Sequence, residues 1–181
     1  MTTYVALLRA VNVGGNNRLS MADLRSIFAR IGLEDAQTLL QTGNVVFSCS
    51  QHRGPDLERL LEAEVKALMG TSIDVVMRAS DQFRKAVEGN PFPKEAREDP
   101  GRLAVMFTKQ APTPSVVEDL RASIVGPEVL QAVGDHVYIY YPDGMGQSKL
   151  TMQKIESKLG TRGTARNWNT VIKIAAAATS R

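Results

Sequence analysis

Thr38-Leu39-Leu40-Gln41-Thr42-Gly43-Asn44-Val45-Val46-Phe47-Ser48 reads as a short strand, a turn at Thr42-Gly43, and a returning strand. A hairpin makes its two strands antiparallel neighbours, so the elements on either side of it decide the architecture. Upstream, Met21, Leu24, Ile27, Phe28 and Ile31 recur at helical spacing, with Ser20 placed as N-cap and Gly32 as the stop. Before that helix, Tyr4 to Leu8 is apolar on both faces and reads as a buried strand. Downstream, Gly54-Pro55-Asp56 opens a second helix with a stripe of Leu57, Leu60, Leu61, Val65 and Leu68, ended by Gly70. Ile73 to Met77 follows as a strand, with Ile73, Val75 and Met77 on one face and Asp74 and Arg78 on the other. A short helix capped by Ser80-Asp81 runs through Val87. The order is β-α-β-β-α-β with a trailing helix.

The order then repeats. Residues 103–108 form a buried strand, Val116, Val117, Leu120 and Ile124 mark a helix, and 129–133 and 137–141 pair across a Gly134-Asp135 turn. Leu150, Met152, Ile155 and Leu159 mark a further helix ended by Gly160; a short strand at 161–165 and a helix at 168–178 complete the chain. Between the repeats, Asn90-Pro91-Phe92-Pro93 and Glu98-Asp99-Pro100-Gly101 are loop signals around a charged run. The expected fold class is α+β: two tandem ferredoxin-like halves (α/β plaits) with extra C-terminal helices. The expected boundaries are 1–90, a linker at 91–102, and 103–181. Right-handed crossovers place the third strand of each half between the first two. The loop after strand one and the hairpin then share one end of the sheet; the loop after strand three and the end of strand four share the other.

The composition fits an ordinary soluble protein: 181 residues, 43% apolar and 23% charged. A net charge of +3 is too small for a dedicated nucleic-acid binder, although a local basic patch is compatible with it. One cysteine, Cys49, allows no internal disulfide and no thiolate metal cluster. The start, Met1-Thr2-Thr3-Tyr4-Val5, does not resemble a secretion signal, and no apolar run approaches a bilayer span. The expectation is a cytoplasmic protein with no membrane partner.

Four stretches carry a resemblance. They are Tyr4-Val5-Ala6-Leu7-Leu8-Arg9-Ala10-Val11-Asn12-Val13-Gly14-Gly15, Gln41-Thr42-Gly43-Asn44-Val45-Val46-Phe47, Asn90-Pro91-Phe92, and Thr164-Ala165-Arg166-Asn167-Trp168-Asn169-Thr170-Val171. Together they are similar to an uncharacterised, mainly bacterial family known as domain of unknown function 1697. The sequence departs from that family at Ala10-Val11, where the family usually has Gly-Ile. The resemblance implies two ferredoxin-like halves and no assigned activity.

Two constellations are candidates for ligand binding. The first joins Arg9, Asn12, Gly14, Gly15, Asn16, Asn17 and Arg18 to Gln41, Thr42, Gly43 and Asn44, which the plait brings to one end of the first half. A glycine loop at a helix start offers backbone N–H groups to an anion, arginines add charge, and amides read polar edges. The same residues also make tight turns without any ligand, and the stretch matches neither a Walker A loop nor a dinucleotide fingerprint. The second constellation joins Lys149 to Arg166, Asn167 and Trp168 at two helix starts in the second half. It is a phosphate site with a stacking ring, or else a capped helix with a space-filling tryptophan. His136, Tyr138 and Tyr140 share a strand face, but the RNP1 motif is absent and packing is the expected use.

Catalytic groupings are thin. His52 and His136 have no metal spacing, Cys49 has no evident base, and Glu58, Glu62 and Glu64 read as helix-surface residues. No cofactor or metal is expected, and no catalytic residue is named. Three functions stay open: a binder of a phosphate-bearing ligand (nucleotide or nucleic acid), a protein-interaction or homodimerisation module, and an enzyme on a small phosphorylated metabolite.

Overall fold

The computed structural model describes residues 1–15, 17–33, 35–52 and 54–180. Its first sheet and helices are β1 (Thr2–Leu8), α1 (Met21–Arg30), β2 (Gln37–Leu39), β3 (Asn44–Cys49), α2 (Gly54–Met69), β4 (Val75–Ala79) and α3 (Ser80–Glu88). A short helix α4 (Pro93–Glu98) follows. The second set is β5 (Leu103–Thr108), α5 (Pro114–Ala122), β6 (Val129–Val133), β7 (His136–Tyr140), α6 (Met152–Leu159), β8 (Gly163–Asn167) and α7 (Trp168–Thr179), with one 3₁₀ turn at Met145–Gln147. The protein is mixed α+β, with two four-stranded antiparallel sheets ordered β2-β3-β1-β4 and β6-β7-β5-β8. The chain divides into two compact units, Met1–Lys85 with the residues from Lys173 onward, and Ala86–Ile172.

In the first unit, strand alternation sends Tyr4, Ala6, Leu8, Val45, Phe47, Val75 and Met77 to one face of the sheet. There they meet Leu24, Ile27 and Phe28 of α1 and Leu57, Leu61 and Val65 of α2, all buried. Phe47 anchors this core, with its ring 5.1 Å from Phe28 edge-on and 5.9 Å from Tyr4. The second unit repeats the arrangement. Ala104, Met106, Val137 and Ile139 face Val117 and Leu120 of α5 and Ile155 and Leu159 of α6.

Helix ends follow the local chemistry. Ser20 Oγ accepts from the Asp23 N–H at 2.9 Å, and Thr151 caps α6 through the Lys154 N–H. Gly160 ends α6 in the left-handed conformation. The outer edges of β4 and β8 are covered by carboxylates: Glu62 and Glu58 of α2 accept from the N–H groups of Val75 and Met77, and Glu156 of α6 accepts from that of Gly163. Glu58 and Glu62 are therefore edge guards rather than idle surface charges. Glu64 pairs with Arg30 at 3.2 Å.

Four elements differ from the sequence reading. β2 stops at Leu39, because Leu40 (φ 59°) turns the chain and the hairpin loop spans 40–43. β4 and β8 each start two residues later than their apolar patterns suggest, so Arg78 and Arg166 lie within strands and are buried. Inside the segment read as a linker, Pro93 at the first helical position starts α4.

Candidate functional site

The loop 9–20 and the hairpin loop 40–43 meet at one end of the first sheet. The Leu8 N–H donates to the Gly43 carbonyl at 2.8 Å, and the Arg9 N–H to that of Asp74 at 2.9 Å. Gly43 has to be glycine on two counts. Its φ is +74°, and a Cβ there would lie 2.8 Å from the Leu8 Cβ. Asn44, fully buried, donates its amide to the Leu39 carbonyl and Thr42 Oγ1, so it holds the hairpin rather than facing solvent.

Asn12 is the organiser of this end. Its Nδ2 donates to the carbonyls of Leu19 at 2.8 Å and Gln41 at 2.7 Å, and its Oδ1 accepts from the Leu19 N–H at 2.9 Å. One side chain thus ties the loop, the hairpin and the start of α1 together. Both amide hydrogens and the oxygen are engaged, so Asn12 shapes the site instead of reading a ligand. Asn17 plays a similar internal part, donating Nδ2 to the Ala10 carbonyl while its own carbonyl accepts from Asn12. Ala10, Asn12 and Asn17 all have positive φ, as do Gly14 and Gly15. Glycine takes this conformation freely and asparagine more readily than most residues, so the backbone cost falls chiefly on Ala10. Asn16 lies outside the described residues.

Two clefts open beside this loop. The first, about 540 Å³, is lined by Asn12, Gly15, Leu19, Ser20, Met21 and Gln41. The second, about 450 Å³, is formed with Asn17, Asp23, Leu68, Met69 and Thr71. Arg18 and Leu19 line both. Arg18 is exposed and has no hydrogen-bond or ion-pair partner among the described residues. Its guanidinium is available to an anion. Asp23 brings a carboxylate to the second cleft, steadied by the Ser20 hydroxyl at 2.7 Å. Thr42 and Gly43 belong to the adjoining hairpin, and Arg9 is half-buried at the strand end.

The second set of candidates is arranged differently. Tyr140 of β7 pairs with Leu103 and Asn167 of β8 with Ala104, so both segments lie at the end where β5 starts. Asn167 Oδ1 accepts from the Thr170 N–H at 3.0 Å and caps α7. Trp168, the first residue of α7, is buried. Arg166 is buried and donates to Thr164 Oγ1 at 2.6 Å and to the Ala165 carbonyl at 2.9 Å. Burial pulls its pKa down to about 10, which still leaves it cationic at neutral pH. Lys149 and Asn167 are the exposed members of this set. Nearby on the sheet, Tyr138 is fully buried, donates to the Ala86 carbonyl at 2.6 Å, and is pushed up to about 12, first by burial and then by Asp135. His136 stacks edge-on against Phe107 at 5.2 Å.

The sheets share a register the sequence did not reveal. Val5 faces Arg78 across β1 and β4, and Val105 faces Arg166 across β5 and β8. Each arginine donates NH1 to the carbonyl of the residue before it. Leu8 N–H to Gly43 and Arg9 N–H to Asp74 have counterparts in Thr108 N–H to Asp135 and Lys109 N–H to Arg162. The halves part company at one place. Residues 109–113 suffice to reach α5, whereas residues 9–20 intervene before α1. The fold does not require the longer loop.

Among the described residues, no helix is long and apolar enough to cross a membrane. No match is found among curated proteins. Among solved structures the chain is similar to a conserved bacterial protein from Streptococcus pneumoniae, at 22% identity over 98% of each chain with a TM-score of 0.75, a likeness of fold. Residues 1–138, which contain the long loop, the hairpin and both clefts, match the model of the family described as protein of unknown function (DUF1697), and the chain belongs to that family.

Proposed function

We propose that the protein binds a phosphate-bearing ligand, a nucleotide or a segment of nucleic acid, in the cleft between the loop 9–20 and the hairpin loop 40–43. The observation that carries this reading is Arg18, an exposed cation with no partner among the described residues, standing on a cleft of about 540 Å³ at the start of α1. That volume suits a small ligand. Beside Gly15 the cleft is open: among the described residues, apart from its chain neighbours, no atom lies within 4 Å of where a Cβ would be. Gln41 adds an amide to the same cleft, and Met21 an apolar side chain. In this reading Asn12, Asn17, Thr42, Gly43 and Asn44 build the site. Arg166, Asn167 and Trp168 secure the β8–α7 junction, and Lys149 lies outside the binding surface. Each unit is a ferredoxin-like plait, a reading supported by the strand order β2-β3-β1-β4, its repeat in the second sheet, and two helices on one face of each. A cytoplasmic setting suits the single buried Cys49.

The test is a thermal-shift and direct-binding screen of the full chain against nucleotides and short oligonucleotides. We expect at least one to bind, and Arg18→Ala to weaken that binding at least tenfold while Lys149→Ala leaves it intact. Failure of every such ligand, or retention of full affinity by Arg18→Ala, would overturn the reading.

A further inference from the structure

The two clefts are not independent. They share Arg18 and Leu19, so one cation borders both a space of about 540 Å³ and one of about 450 Å³. Each is large enough for a nucleoside. Each also has an apolar side, Met21 in the first and Leu68 with Met69 in the second, against which a base can lie. Each has a polar group of different character. Gln41 both donates and accepts, whereas the Asp23 carboxylate only accepts. A carboxylate beside an anion site repels a second phosphate but accepts well from an exocyclic amino group. One cation with a base-sized space on either side matches one phosphodiester with a nucleoside on either side. A mononucleotide would leave one cleft empty, and a doubly phosphorylated linker would place its second charge toward Asp23.

We propose that the ligand is a single-stranded nucleic-acid segment whose phosphodiester rests on Arg18, with one unstacked nucleoside in the cleft of Gln41 and Met21 and its neighbour in the cleft of Asp23, Leu68 and Thr71. The proposal rests on the ligand-binding reading above and adds the class of ligand and its span. Single strands are usually gripped by stacking unpaired bases on aromatic rings or arginine planes; here Met21 in one cleft and Leu68 with Met69 in the other take the place of the rings, beside Arg18.

The experiment compares deoxycytidine monophosphate, deoxycytidylyl-deoxycytidine, a dinucleoside diphosphate and a deoxycytidine hexamer by calorimetry on the full chain, cytosine carrying the exocyclic amino group for Asp23 to accept from. The monophosphate carries the greater charge on its one phosphate, so tighter binding of the dimer reports the second nucleoside rather than electrostatics. We expect the dimer to bind at least tenfold more tightly than the monophosphate, the hexamer no more weakly than the dimer, and the diphosphate more weakly than the dimer. Thr71→Trp, at an exposed position, fills the second cleft and should reduce dimer affinity to that of the monophosphate. Equal binding of monophosphate and dimer would overturn this inference and leave the phosphate-ligand reading standing, as would a Thr71→Trp variant with undiminished preference. Preference for the diphosphate would overturn it in favour of a dinucleotide cofactor. Binding of none of the four would overturn both.

Discussion

Ala10 sits at φ 53°, a conformation that costs an alanine about 1–2 kcal/mol relative to its right-handed mirror region. It is exposed, so its methyl group contributes no core packing. Ala10→Gly should therefore stabilise the protein by about 0.5–1 kcal/mol, once the greater freedom of glycine in the unfolded chain is subtracted. A rise in the denaturant midpoint at constant slope would show it, and no rise would contradict a left-handed Ala10. Gly43 is the opposite case. There, Gly43→Ala meets both φ +74° and a 2.8 Å contact with Leu8 Cβ, and should cost about 2–4 kcal/mol by the same measurement. Tyr138 links a residue to pH. Its folded pKa, about 12 against the ordinary 10.0, means the folded protein holds that proton more tightly. The resulting stability is complete below pH 10 and is lost as pH rises from 10 through about 12. Tyr138→Phe should be less stable at neutral pH, having lost its bond to Ala86, yet decline less steeply between pH 10 and 12. Some decline remains, because burial raises Tyr141 as well, followed by the influence of Glu128. Parallel slopes for the two proteins would assign the alkaline loss elsewhere.

At the scale of elements, the loop 9–20 depends on one side chain for its attachment. Asn12→Ala removes three hydrogen bonds and leaves two carbonyls and one N–H to find water, at about 1 kcal/mol for each bond lost. We expect a loss of about 2–3 kcal/mol and, more tellingly, faster amide exchange at Leu19 while the N–H of Val46, in the middle of β3, stays protected. Uniform acceleration would mean that Asn12 acts on global stability alone. The elements themselves were largely legible beforehand, because apolar periodicity and turn chemistry report local preference. The helix after Ser20 and the hairpin before Asn44 came from such signals. The misplaced starts of β4 and β8 have a physical cause too. Arg78 and Arg166 are buried in strands whose register is set by β1 and β5, and a buried arginine looks like a strand end when only hydrophobicity is read. The candidate site was legible as a location but not as a set of roles. Its glycines and asparagines mark where the loop bends, and nothing in their order tells that Asn12 and Asn44 face inward while Arg18 faces out. Leu68, Met69 and Thr71, at the far end of α2, become part of the second cleft only through folding.

For the molecule as a whole, the repeated register of the two sheets means that the long loop is an elaboration on a duplicated frame. The second half reaches α5 without it, so the residues added to the frame at this point lie in the first half. Charge supports the same localisation. A net charge of +3 over 181 residues leaves little long-range field to gather a polyanion. Arginines 78 and 166 are buried, and several surface arginines are already paired, among them Arg30 with Glu64, Arg59 with Asp56 and Arg121 with Glu118. If the ligand is a single strand held by one phosphate on Arg18, its binding should be nearly insensitive to salt. A single strand releases about 0.7 counterion per phosphate neutralised. We therefore expect the logarithm of the hexamer association constant to fall with the logarithm of salt concentration at a slope of about −0.7, and Arg18→Ala to bring what binding remains close to zero slope. A slope several times steeper that survives Arg18→Ala would locate the nucleic-acid contact on other cations and displace it from the loop. A shallow slope confined to Arg18 would place the whole electrostatic contribution at one residue of the elaborated loop, leaving specificity to the clefts on either side of it.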